Sequence, residues 1–406
     1  MPSTPAHKRL AGKFMFKKTF PQGFESDALV ELVAHIYTEE EAEVACALSF
    51  TPKPAALIAR RLKRPVSEIR PILEAMSERL TIIGVKAAGV PLYGFAMLVP
   101  GVYEFQMIRS RGEGADLAHY KRFAELFEDL YSEYLAWAQP RTLGKDLRFG
   151  RIVAVEKSLE RTSGVMPLAT DRYSEIVERN KSFCLVNVCA CRREQELLGK
   201  GCGRGMDVCS GMGMLADLAI EKGLARRVSR EEFMEAKTRA SSLGLVHMVD
   251  NLTDPMQVCS CCTCCCGALR MLKDYNVPTV IVGSHFEAAV DETLCNGCGK
   301  CAKTCPMEAI TLSGEKKKKK ARVNYARCIG CGLCIDKCDK TRALSLKERA
   351  GHKPPSKNPV DYYSERVQEL MGKDLPFLKM LGLGVGSALY DIAPRKLSGP
   401  RYKGKG

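Results

Sequence analysis

Residues 295–338 carry Cys295-x2-Cys298-x2-Cys301-x3-Cys305-Pro306 and then Cys328-x2-Cys331-x2-Cys334-x3-Cys338, with twenty-two residues between Cys305 and Cys328. Three cysteines at two-residue intervals let one tight loop reach three corners of a small tetrahedral body. The fourth corner must come from elsewhere, and in runs of this rhythm the fourth cysteine serves the other body of the pair. Cys295, Cys298, Cys301 and Cys338 therefore form one candidate quartet, and Cys328, Cys331, Cys334 and Cys305 the other. A [4Fe-4S] cluster is a body that takes four thiolates in this pattern. Zinc sites draw on two separated pairs of ligands instead of two runs of four. The cluster reading also leaves no cysteine of the stretch unused.

With Ala309-Ile310 and the run Cys328-Ile329-Gly330-Cys331-Gly332 added, residues 286–346 resemble a bacterial-type ferredoxin carrying two [4Fe-4S] clusters. The resemblance implies a ferredoxin-like dicluster domain, one-electron transfer and a low potential. One position departs from it: the second run ends Cys338-Asp339, where that family usually has proline.

Upstream lie two more groups of cysteines. The first is Cys189-Ala190-Cys191-Arg192-Arg193, followed by Cys202 and Cys209, and six glycines fall between Gly199 and Gly213. Glycine lets backbone approach closely and leaves N–H donors unhindered. Such donors, with Arg192 and Arg193, suit a thiolate-bound cluster carrying net negative charge. The second group is Cys259, Cys261, Cys262, Cys264, Cys265 and Cys266, six cysteines in eight residues. Neighbouring side chains point in different directions, so these six must divide between sites or stay free as small buried groups. Soft sulfur suits zinc as well as iron–sulfur clusters. Standing beside a ferredoxin, the ten thiols are expected to hold one or two additional iron–sulfur clusters, with their grouping left open by the spacing. The order of the Cys-x-Cys-Arg segment, Gly244-Leu245-Val246-His247 and the dense run resembles the middle of multi-cluster ferredoxin-like proteins of anaerobic microbes. His247 itself reads as a core histidine.

The chain has 406 residues, too many for one compact domain. Nineteen of its twenty cysteines fall between Cys184 and Cys338. A disulfide-built secreted protein would spread its cysteines behind an export signal. The clustering points instead to a reducing, oxygen-poor cytoplasm. The most apolar window, Thr81 to Val102, is broken by Lys86, Pro91 and Pro100, so no transmembrane segment is expected. The net charge is +15, with five lysines in Lys316–Lys320. That balance suits a redox partner protein with an acidic surface, with nucleic acid as the other partner class.

The expected fold class is a multidomain α+β chain. Residues 1–35 read as a basic arm, its early part loose because five Lys or Arg precede the first acid. Thr38-x-x-Glu41 is a capping box opening a helix to about Ser49. Pro54 to Leu62 and Pro65 to Leu80 give two more helices, and Ile82–Val85 and Leu92–Val99 make two strands. Over roughly 36–105 this succession resembles a winged helix, assigned here to a module spanning 36–110. Arg60, Arg61, Lys63, Arg64, Arg70 and Arg79 would supply phosphate contacts if it bound DNA, against Glu68, Glu74 and Glu78. A connecting helix (111–145), a cysteine-rich iron–sulfur region (146–284), the ferredoxin domain (285–346) and a tail (347–406) follow. Short helices are expected in the tail at Asp361–Met371 and Pro376–Tyr390. There is no nucleotide fingerprint, nucleophile elbow or P-loop to assign a reaction. The sequence therefore favours an electron-transfer protein or oxidoreductase subunit over a stand-alone enzyme, with a redox-sensing DNA-binding regulator as the alternative.

Overall fold

The computed structural model describes residues 2–15, 25–112, 114–142, 150–162, 164–275, 281–315 and 318–357. The tail helices expected at 361–371 and 376–390 lie outside the described residues. Helices and strands mix throughout, as in an α+β protein.

The first residues differ from expectation. Instead of a loose basic arm, Pro5–Phe14 and Asp27–Ile36 are helices whose inner faces enter the largest core. Ala6, Leu10, Ala11 and Phe14 recur at helical spacing and are buried, with Leu10 fully so. Lys13 is drawn in as well: its Nζ donates to the carbonyls of Ala45 and Leu48 at 2.8 and 2.6 Å. The cationic side chains hide an apolar stripe that is only four residues wide.

Helices Glu39–Ala47, Ala55–Leu62 and Val66–Glu78 follow. The capping box is formed: the Thr38 hydroxyl accepts from the Glu41 N–H at 3.2 Å, and the Thr38 N–H donates to the Glu41 carboxylate at 2.9 Å. Strands Ile83–Ala87 and Val90–Gly94 pair as an antiparallel hairpin, and Lys53–Pro54 joins its outer edge. Helix Leu117–Thr142 lies against Asp27–Ile36, where Arg122 meets Glu31 at 3.3 Å.

The middle of the chain is a seven-stranded sheet. Its strand order is Ile281–Val282, Gly150–Val153, Val246–Asp250, Gln257–Cys261, Ser210–Met212, Phe183–Val186, Ala225–Arg227. All pairs are antiparallel except the first, in which Ile281 faces Gly150. Two registers matter below. Ser210 faces Val258, and Val246 faces Cys261, so the sheet brings the Cys209 end of one strand beside the dense cysteine run.

The last unit has two small antiparallel pairs, Phe286–Val290 with Leu344–Glu348 and Ile310–Ser313 with Lys320–Val323. Short helices Lys300–Thr304 and Leu333–Asp336 complete it. It is keyed into the middle sheet: the Val155 N–H donates to the Cys331 carbonyl at 3.0 Å. Arg161 reaches the carbonyls of Ile335, Asp336 and Cys338 at 3.2–3.3 Å.

If the N-terminal helix belongs to the core, Leu10→Ala should lower stability by about 2–5 kcal/mol, the cost of a truncated buried leucine. Denaturant unfolding of the anaerobic protein measures it, and a loose arm would give no change.

Candidate metal centres

Each ferredoxin loop repeats Cys-x-Gly-Cys-Gly-x-Cys, and the repeat is visible in the backbone. Gly297 and Gly330 take φ of 69° and 68°, and Gly299 and Gly332 take 76° and 79°. A side chain is strained in this left-handed region. At Gly330 it would also strike the Phe286 carbonyl, and at Gly297 the Lys319 carbonyl. The glycines therefore let the loop curl, so that its three cysteines face inward.

Two cavities result. Cys295, Cys298, Cys301 and Cys338 line one, and Cys305, Cys328, Cys331 and Cys334 line the other. These are the interleaved quartets expected from the spacing. Backbone N–H groups point at sulfur in both: Ala321 N to Cys295 Sγ at 3.4 Å and Ala309 N to Cys305 Sγ at 3.2 Å. The two surroundings differ. The first quartet has Asn296, Lys300 and Lys337 around it, and Cys298 is exposed. The second is walled by Met307, Ala309, Ile310, Ile329 and Leu346. Burial pushes the Cys331 thiol up to about 12 and the Cys334 thiol well above its ordinary value. Asp339, standing where proline was expected, pairs with Lys300 at 3.5 Å.

The ten middle cysteines separate into two groups. Six are neighbours in the order Cys189, Cys191, Cys266, Cys261, Cys259, Cys209, each thiol's ionisation tied to those on either side, and the six are called the ring below. Strand alternation explains part of it, since Cys259 and Cys261 are two apart on Gln257–Cys261 and share a face. Cys189 and Cys266 are N-caps of helices Ala190–Leu197 and Gly267–Lys273. Hydrogen bonds from Cys189 and Cys259 hold Cys209 well below the usual thiol range. Those from Cys191 and Cys261, with the N–H groups of Leu269 and Ala268, do the same for Cys266.

Two buried cations face this ring. Burial alone would lower the Arg192 guanidinium, but Cys189, Cys209, Cys262 and Cys261 outweigh it and raise its pKa. Arg192 is 2% exposed and donates to the Ser260 carbonyl at 2.5 Å. Lys237 lies on helix Arg230–Ser242 and donates to the Val208 carbonyl at 2.8 Å. Burial brings its pKa down to about 8, opposed by Cys209, Cys259 and Cys261. The sequence pattern pointed to Arg192 but not to Lys237, because a lysine in a charged helix reads as solvated. A lysine at i+4 from buried Phe233 was the available signal.

The other four, Cys202, Cys262, Cys264 and Cys265, have sulfurs all within 4.8 Å of one another. A hydrogen bond from Cys265 pulls Cys262 down to about 5. His247 is buried at 2% exposure, its Nε2 2.7 Å from the Ser241 hydroxyl and its ring edge-on to Tyr173 at 4.9 Å.

The family model of the 4Fe-4S dicluster domain matches residues 294–342. This is an iron–sulfur protein. No curated protein and no solved structure matches the chain. The matched stretch spans both cavities, and clustered thiols with converging N–H donors are a donor set that fits [4Fe-4S] clusters.

Gly330→Ala should disrupt the second loop, because φ of 68° and the Phe286 carbonyl both oppose a side chain. The expected outcome is lower iron content in the purified anaerobic protein, read by metal and sulfide analysis, with Val323→Ala as a neighbouring control that keeps it.

Proposed function

We propose that the protein is a multi-centre electron carrier. Cys295, Cys298, Cys301 and Cys338 would hold one [4Fe-4S] cluster, and Cys305, Cys328, Cys331 and Cys334 a second. Thiols of the ring Cys189, Cys191, Cys209, Cys259, Cys261 and Cys266 would hold a further iron–sulfur centre. Bound clusters supply reversible one-electron chemistry at low potential; the chain's part is to hold the sulfurs, shield them and balance their charge.

The observation that carries this reading is the continuity of the sulfur sites. Cys261 and Cys266 of the ring share one apolar cluster with Cys331, through Val155, Val246, Leu269, Ile329 and Leu333. Cys305 and Cys328 in turn pack with Cys295, Cys301 and Cys338 in the neighbouring apolar cluster. The order is ring, second quartet, first quartet, with the first quartet nearest solvent. Lys300 and Lys337 beside exposed Cys298 suit a partner protein with an acidic surface.

Redox sensing through the N-terminal module is the second reading, and a specific contact favours it. Glu128 of the long helix takes two hydrogen bonds from Arg270, at 2.6 and 2.9 Å, four residues past Cys266. The Tyr131 hydroxyl donates to the Gly267 carbonyl at 2.6 Å. Three helices and a hairpin at 39–94 have the succession of a winged helix. Against DNA binding, three of its cations are occupied: Arg61 by the Ala47 carbonyl, Arg64 by Glu40 and Glu68, and Arg79 by Glu41.

Iron and sulfide analysis of anaerobic protein separates these possibilities. Two cubes require about eight iron per chain and three about twelve, and paramagnetic resonance of the reduced protein should contain the matching number of interacting spins. A preparation that folds without iron sinks the proposal. Lys237→Met removes a buried positive charge beside the ring and should shift one centre to lower potential, since the cation favours the more negative, reduced state. Redox titration followed by paramagnetic resonance reads that shift, and the ferredoxin signals should stay in place. A DNA titration across salt tests the second reading: binding whose affinity falls steeply with salt would support it, and none in either redox state excludes it.

A further inference from the structure

The two ferredoxin quartets and the middle quartet differ in one measurable respect. In the ferredoxin unit the four cysteines of each quartet line a cavity, and their sulfurs do not all fall within 4.8 Å of one another. Cys202, Cys262, Cys264 and Cys265 instead close on a point. Cys202 Sγ lies 3.9 Å from Cys262 Sγ, Cys264 Sγ lies 3.8 Å from Cys265 Sγ, and all four fall within 4.8 Å of one another. Among the described residues, no ferredoxin quartet is drawn together in this way.

A regular tetrahedron with metal–sulfur arms of about 2.3 Å has edges of about 3.8 Å. Two of the six edges at this quartet, at 3.9 and 3.8 Å, have about that length, and all six lie within 4.8 Å. A [4Fe-4S] cube places a body of iron and sulfide between its four thiolates and holds them further apart, as the cavities of the ferredoxin unit allow. We infer that Cys202, Cys262, Cys264 and Cys265 bind a single tetrahedral metal ion, zinc in the first instance, and not an iron–sulfur cube. Tetrahedral four-sulfur coordination is also met by a lone iron ion, so the shared chemistry is one divalent ion held by four thiolates.

The surroundings suit a closed, structural ion. Cys262 and Cys265 are each 1% exposed and pack with Val208, Ala240 and Leu245, and Cys202 rests on the same cluster. With all four positions filled by sulfur, no corner is open to water or substrate. The ion would tie the glycine-rich loop carrying Cys202 to the turn after Gln257–Cys261. The inference does not draw on the electron-carrier reading, because it uses only these four residues and their spacing.

Zinc and iron K-edge absorption of the full chain, purified without air from medium containing both metals, tests it. The expected result is one zinc per chain with four sulfur neighbours at about 2.3 Å, beside the iron of the clusters. In the C202S/C264S double variant, zinc should fall from one per chain to near zero, while iron content and the ferredoxin signals persist. One iron per chain in place of zinc, with the high-spin signal of a lone ferric ion, no loss of sulfide in the variant and the same four sulfur neighbours, supports the site and names iron as its occupant. Loss of about four iron and four sulfide in the variant, or a wild-type protein with neither ion in four-sulfur coordination, overturns the inference. The wild-type spectrum decides the matter even if the variant does not fold. Failure of the electron-carrier reading would be seen separately, in absent cluster iron.

Discussion

Thiolates held side by side repel, and in this chain all the cysteines but Cys264 and Cys298 are buried or half-buried. Burial pushes Cys331 and Cys334 up, and each sulfur placed nearby adds to the cost of ionising them. The remaining architecture answers that constraint. Backbone N–H groups of Ala309, Ala321, Ala268 and Leu269 point at sulfur. Helix N-termini begin at Cys189 and Cys266, where their partial positive charge meets the ring. Arg192 and Lys237 bring full charges into an apolar interior, a placement that would be costly without the thiols they face.

Charge compensation also explains how the middle sheet is used. A sheet can bring sequence-distant cysteines together at fixed register, and here Ser210 opposite Val258 sets Cys209 near Cys259. The face occupied by Cys259 and Cys261 excludes Ser260, whose carbonyl serves Arg192 instead. One residue beyond the strand the alternation ends, and Cys262, Cys264 and Cys265 turn toward Cys202. Six cysteines within eight residues thus divide between two sulfur groups, because the strand stops in the middle of the run.

These features were unequally legible in the sequence. The ferredoxin quartets are encoded by local spacing and by glycines whose φ is positive, so Cys295 to Cys338 could be read directly. The ring and the closed quartet depend on which strand pairs with which, so the spacing of Cys189, Cys191, Cys202 and Cys209 could not divide them. The capping box at Thr38 was readable because it is a four-residue interaction. The helix Pro5–Phe14 was not, since Lys8, Arg9 and Lys13 give its short apolar stripe the look of a solvated arm. Lys237 was missed although Phe233 stands one helical turn before it, because a lysine among the charges of Arg230–Ser242 reads as solvated.

Arg161 grips three carbonyls of the loop that ends in Cys338, and Val155 is stitched to Cys331. A detached ferredoxin can diffuse and present itself to one protein after another. Here the unit is bolted to its neighbour, so the spans between its sulfur sites and the ring are settled when the chain folds. In the proposed carrier, traffic inside the molecule would then be indifferent to solvent viscosity, and only a handover at the Cys298 rim would wait on an encounter.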